Sequence, residues 1–129
     1  MVAFKADITG DKEALDTALS AATAELGPVY MLINNAGTSI PRRFVEADLS
    51  EARSMMDVNY FGSLNVTKAL LPSMQDAGEG LIVFVSSQAA LIGIYGLAAY
   101  CGSKYAVRGF AEALAMEVKE KKYHLVHAL

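Results

Sequence analysis

The chain is poor in cysteine and in clustered positive charge. One cysteine in 129 residues leaves no disulfide to form within it and excludes a stapled secreted module. A reduced, intracellular compartment is the expectation. Eleven Lys and Arg stand against fourteen Asp and Glu, for a formal net charge of −3, and no basic run is longer than Lys121-Lys122. Binding to a phosphate backbone needs a basic stripe, so nucleic acid is not expected as a partner. With 53% of residues hydrophobic and 19% charged, intrinsic disorder is excluded, and the length allows one packed domain. The opening Met1-Val2-Ala3-Phe4-Lys5-Ala6-Asp7 has neither the basic start nor the long apolar core of a signal peptide.

One stretch imitates a membrane span. The 24 residues between Glu79 and Lys104 carry no charge, which meets the length a spanning helix needs. They also contain Ser86-Ser87-Gln88 and four glycines, so a buried strand, a loop and the start of a helix are expected instead.

Short apolar runs alternate with longer segments of helical period, the signature of a parallel α/β sheet. Val2 to Phe4 is expected as a strand remnant, followed by a turn at Asp7-Ile8-Thr9-Gly10-Asp11. Leu15, Leu19, Ala22 and Leu26 recur at helical spacing until Gly27-Pro28 stops the helix. Val29 to Ile33 is a continuous apolar run, expected as a strand buried on both faces. A helical region from about Ser50 to Met74 places Met55, Val58, Leu64, Ala69 and Leu71 on its apolar side, while Asn59 and Gly62 inside it cost propensity. Leu81 to Val85 is the second buried strand. A helix from Ala98 to about Lys122 buries Val107, Phe110, Ala111, Leu114 and Val118, and a further strand begins near Leu125.

Tyr100 and Lys104 are four apart on that last helix, so both side chains lie on one face. Phenol titrates near pH ~10 in isolation, and an adjacent ammonium favours phenolate, which suits a tyrosine to acid/base work. The spacing alone is weak, since chance supplies about one third of a Tyr-x-x-x-Lys in a chain of this composition. Ser87, at the carboxyl end of the second buried strand, adds context, because open parallel sheets hold their ligands at strand ends. Read alone, Ser87 is a strand-end serine capping a loop amide. Asn59 has a plain reading as a satisfied buried amide, and Asp7 as a turn cap. Cys101 has no histidine partner nearby and reads as a packed thiol. His124 and His127 fall on a strand at a spacing that sends them to opposite faces, so no metal site is expected. The methionines at 55, 56, 74 and 116 read as core or interface filler.

Taken together, Asn34-Asn35-Ala36-Gly37, Asn59, Ser87 and Tyr100-x-x-x-Lys104 resemble the short-chain dehydrogenase/reductase family, over nearly the whole chain. The resemblance implies a Rossmann-like, doubly wound parallel α/β sheet, represented here from its third strand to the start of its sixth across residues 1–129. It implies NADPH as cofactor and hydride transfer to a ketone, with Tyr100 passing the proton, Ser87 orienting the carbonyl and Lys104 holding the nicotinamide ribose. Asn59 would anchor a water of the proton relay. Asn34, Ala36 and Gly37 would form the turn beside the cofactor, and Asp7 would meet the adenine. Ile82-Val83-Phe84-Val85-Ser86-Ser87-Gln88-Ala89 and the segment from Arg108 to Lys119 resemble the branch that reduces long-chain sphingoid-base ketones at the cytosolic face of the endoplasmic reticulum. Intact members would form homo-oligomers through the 50–74 and 98–122 helices. None of the ten glycines falls in the Thr-Gly-x-x-x-Gly-x-Gly turn with which the family cradles pyrophosphate. The chain by itself is therefore expected to bind NADPH poorly and to be inactive. The competing expectation is a non-catalytic chain acting only through helix association, or another lipid or steroid reductase of the family.

Overall fold

The computed structural model of the chain describes residues 2–118 and 123–128. Helix α1 (Lys12–Leu26) leads to strand β1 (Met31–Asn34), then α2 (Leu49–Met56), a π-helical segment (Asp57–Gly62) and α3 (Ser63–Ala77) run on as one helical path. Strand β2 (Gly80–Val85), helix α4 (Ala98–Val118) and strand β3 (Tyr123–Ala128) complete the order. The three strands pair in parallel in the order β1-β2-β3, with Leu32 opposite Ile82 and Ile82 opposite Leu125. This is the parallel α/β architecture expected, because parallel neighbours require a helical crossover between them.

The uncharged stretch after Glu79 resolves into β2, a loop and the first turns of α4, and no described helix is long and apolar enough to cross a membrane. Its strand supplies the centre of the core. Leu32, Ile82 and Phe84 pack against Leu70 and Met74 of α3 and Val107, Ala111, Leu114 and Val118 of α4. Phe84 meets Phe110 edge to face at 5.7 Å between ring centroids, the arrangement that the ring quadrupoles favour.

Four expectations change. Residues 2–6 form no strand, and Val2 and Phe4 are exposed; a strand exists only as half of a ladder, and this segment pairs with neither edge of the sheet. Burial of β1 alternates instead of being continuous, leaving Met31 and Ile33 about half exposed at 48% and 54%. Helices α3 and α4 both pack on the Leu32 face, so the residues between point the other way. In α1 only Leu15 is buried, while Leu26 is exposed. The long middle helix buries Met55, Asn59, Gly62, Ser63, Thr67, Leu70 and Met74, a partly polar stripe; Val58, Leu64, Ala69 and Leu71 are only half-buried. Of the methionines, 55 and 74 are core and 116 is exposed. The expected helix end at Lys122 lies outside the described residues, and His124 and His127 lie in β3, at the positions paired with Leu81 and Phe84.

The π segment accounts for the two residues that weaken a regular helix. Gly62 sits where a Cβ would come 2.5 Å from Ile8 Cδ1, so its absence lets the turn before α1 seat on the helix. Asn65 holds the same turn by donating from Nδ2 to Ile8 O at 2.9 Å.

A sheet buried on one face makes a direct prediction. Phe84→Ala should cost about 3–5 kcal/mol in urea denaturation, whereas Ile33→Ser should stay within about 0.5 kcal/mol of the parent chain. Comparable losses at both positions would mean that both faces are packed.

Candidate active site

The site residues gather where β1, β2, the π segment and the start of α4 meet. Lys104 is the first anchor. Its side chain is buried, with 6% of the residue exposed, and Nζ donates to Val85 O at 3.0 Å, at the carboxyl end of β2. Burial pushes the Lys104 ammonium below its ordinary range, because removing water disfavours the charged form. The same Nζ lies 5.8 Å from the centroid of the Tyr100 ring, within cation–π range. The i, i+4 geometry thus puts a cation beside the phenol and ties both to the strand end. Ser87 follows Val85 by two residues. Its Oγ accepts from Ala89 N at 3.2 Å and caps the 3-10 turn Gln88–Ala90. The plain reading of this serine is therefore realised. It is also compatible with the other, since an oxygen that accepts the amide keeps its own proton to donate.

Asn59 is the second anchor. Only 1% of it is exposed, and its side-chain amide makes three hydrogen bonds. Oδ1 accepts from Thr38 N at 2.7 Å, while Nδ2 donates to Thr38 O at 2.9 Å and to Ser103 Oγ at 2.9 Å. Both amide protons are thereby spent on the protein. The backbone carbonyl of Asn59 also accepts from Ser63 Oγ at 2.9 Å. Ser103, wholly buried, donates onward to Tyr100 O at 2.8 Å.

Gly37 closes the arrangement. A Cβ there would stand 3.2 Å from Asn59 Oδ1 and 3.7 Å from Lys104 Nζ, so the bare backbone leaves the approach to both groups open. Asn35 and Ala36 beside it are exposed. Asn34 is buried and donates from Nδ2 to Thr67 Oγ1 at 3.0 Å, locking β1 onto α3. Asp7 is exposed and stands apart from these residues in the contacts of the site. Its Oδ1 accepts from both Thr9 N and Thr9 Oγ1, which holds the carboxyl below its usual range. That is the turn-cap role.

Three partners escaped the sequence reading: Ser103, Thr38 and Thr67. The available signal was weak. Asn59, Ser63 and Thr67 repeat at i+4, and Ser103 shares a helix face with Tyr100 and Val107, but a search for apolar periodicity passes over polar members of a buried stripe.

Whether a nicotinamide cofactor suits these residues is decided by three observations. Lys104 has one hydrogen bond among the described residues, to Val85 O, so two of its N–H donors remain for sugar hydroxyls. Gly37 leaves room beside it. Ser86 Oγ is buried at the strand end with no partner among the described residues, an orphan that calls for an acceptor or donor. The residues fit the ribose–nicotinamide half of such a group.

Glycine substitutions test the packing. Gly37→Ala should destabilise by about 1 kcal/mol, because Asn59 is pinned by three bonds and cannot yield to the methyl, which outweighs the smaller entropic gain. Gly102→Ala, whose Cβ meets nothing within 4 Å, should stabilise α4 by about 0.5–1 kcal/mol in thermal denaturation. The same sign at both sites would contradict the close approach at Gly37.

Comparison with known proteins agrees with this geometry. The short chain dehydrogenase family matches residues 1–128. A 3-dehydrosphinganine reductase of Danio rerio is 43% identical over 119 residues, covering 92% of this chain and 36% of that protein, and a 3-ketodihydrosphingosine reductase of Mus musculus is 42% identical over the same shares. The chain thus spans about a third of the length of these relatives. The solved structure of ElxO with NADP bound superposes with a TM-score of 0.90 at 27% identity, over 96% of this chain and 50% of that one. With the family match over residues 1–128, these identities and the parallel α/β fold, the chain belongs to the short chain dehydrogenase family.

Proposed function

We propose that the protein carrying this chain is an NADPH-dependent keto reductase, and that its substrate is a long-chain sphingoid-base ketone of the kind named by the 3-ketodihydrosphingosine reductase relatives. The observation that carries the reading is the Lys104 ammonium, fixed to Val85 O at 3.0 Å and set 5.8 Å from the Tyr100 ring. When bound, the nicotinamide supplies a hydride to the ketone carbon. Tyr100 gives its phenolic proton to the oxygen, so that ketone becomes alcohol. Ser87, its oxygen already accepting Ala89 N, turns its own proton toward the same carbonyl and polarises it. Lys104 would hold the ribose hydroxyls with its two remaining donors. The turn of Asn34, Ala36 and Gly37 would meet the cofactor through backbone, since the Asn34 side chain serves Thr67. Asp7 would face the adenine. The relay water attributed to Asn59 falls to its oxygens, because both Nδ2 protons are taken.

An apolar substrate suits the loops at this end of the sheet. Phe44, Val45, Ile92 and Tyr95 are all more than half exposed there, on two loops joined by Arg42 N donating to Gly96 O at 2.7 Å. The neighbouring cations are already paired, Arg42 with Glu51 and Arg43 with Glu46, so these pairs add no net charge to the rim. Association of intact copies through the 50–74 and 98–122 helices, and residence at the endoplasmic-reticulum membrane, belong to the same reading. Exposed Phe61 and Met116 offer apolar surface for the first.

Two measurements on the protein carrying this chain test the proposal. Tyr100→Phe should lower ketone turnover by at least ~10²-fold while the NADPH dissociation constant stays within about threefold; near-normal turnover removes Tyr100 from the proton path. Across 3-keto substrates of increasing chain length, kcat/KM should rise by up to about fourfold per methylene. A flat series would point to a compact ketone instead.

A further inference from the structure

Beyond the residues with chemical roles, we infer that Ser103 is a positioning residue, the hydroxyl that fixes the Asn59 amide and the Tyr100 turn of α4 in one arrangement. Its kinetic consequences rest on the reductase reading; its structural consequences do not.

The direction of every bond in this chain of contacts is forced. Thr38 N can only donate, so it takes Asn59 Oδ1, at 2.7 Å, and Nδ2 must face Thr38 O and Ser103. Nδ2 can only donate, so Ser103 Oγ accepts, at 2.9 Å. Tyr100 O can only accept, so the Ser103 proton points there, at 2.8 Å. Neither the amide nor the hydroxyl has a second orientation that keeps these partners. Successive bonds of one sense polarise one another in a buried site.

A serine hydroxyl that bonds back to the carbonyl three residues earlier is common in helices and local in effect. What sets Ser103 apart is the second bond, which reaches 44 residues back along the chain to the π segment. Among the described residues it is the side-chain hydrogen bond between α4 and that segment. The turn from Tyr100 to Lys104 is therefore held at two strong points, Lys104 tying it to β2 at Val85 O and Ser103 tying it to Asn59, beside a weak Cys101 Sγ contact to Ile92 O at 3.9 Å. With one point gone, the turn can pivot about the other. The phenol at the end of the Tyr100 side chain then moves furthest. A misplacement of about 1 Å at a reacting group can cost ~10²-fold in rate, so a partial loosening should cost less.

Ser103→Ala is nearly isosteric and keeps the packing of a residue with 0% exposure. In the protein carrying this chain, its kcat for ketone reduction should fall about tenfold with KM within about twofold, and the alkaline limb of the kcat–pH profile should move by about half a pH unit or more. By NMR, one Asn59 side-chain amide proton should exchange with solvent at least about tenfold faster, since its acceptor is gone. Ser103→Thr, which restores the hydroxyl, should recover both kcat and protection. Unchanged Asn59 exchange in Ser103→Ala overturns the inference whatever the activity. Equal losses in kcat/KM and thermal stability with an unmoved pH profile reduce Ser103 to packing and overturn it too. If the parent protein reduces no ketone, the reductase reading falls, and the exchange measurement still decides the role of Ser103.

Discussion

The arrangement depends on one side chain that has no freedom left. Asn59 uses its carbonyl oxygen and both amide protons on Thr38 and Ser103, and so joins the loop after β1, the π segment and α4 while being almost wholly buried itself. An unpaired amide there would cost on the order of 1–3 kcal/mol, which makes the three contacts mutually enforcing. The π segment is the backbone consequence. Inserting its extra residue rotates Asn59 inward and leaves Gly62 where Ile8 can lie against bare backbone. Such bulges often occur where a helix must aim a functional side chain.

Lys104 completes what Asn59 begins. A buried ammonium is costly unless it is bonded, and the carbonyl of Val85 compensates in part, while burial still holds the group below its ordinary range. The position is retained against that cost because it sets a cation at the phenol of Tyr100 and leaves donors facing the gap at Gly37. The two anchors divide the labour. Asn59 fixes where the start of α4 lies relative to the helical path before it, and Lys104 fixes where it lies relative to the sheet.

The same division explains which parts of the chain are tightly held. The residues that form the Leu32–Phe84 face are buried, and those on the opposite face of β1 are not. Asp7 is bound to its own turn through Thr9, and that turn is joined to the helical path through Ile8, seated on Gly62 and held by Asn65. Its position is thus set by the π segment more than by its own charge.

Much of this was legible before any coordinates. The uncharged run at β2, the helical period of Val107, Ala111, Leu114 and Val118, and the pairing of Tyr100 with Lys104 depend on 2.0 and 3.6 residue repeats, which are local properties of the backbone. Asn59 and Gly62 announced themselves by their cost to a helix, though not by what they would do. The tertiary structure alone decided the rest. That β1 is covered on one face, that Val2 to Phe4 forms no strand, and that the middle helix buries a polar stripe all follow from which elements lie against one another. Local patterning does not contain that information. Ser103 shows the reason most clearly: its decisive partner is 44 residues away, and a hydrogen bond of that range is specified only when packing brings donor and acceptor within 3 Å.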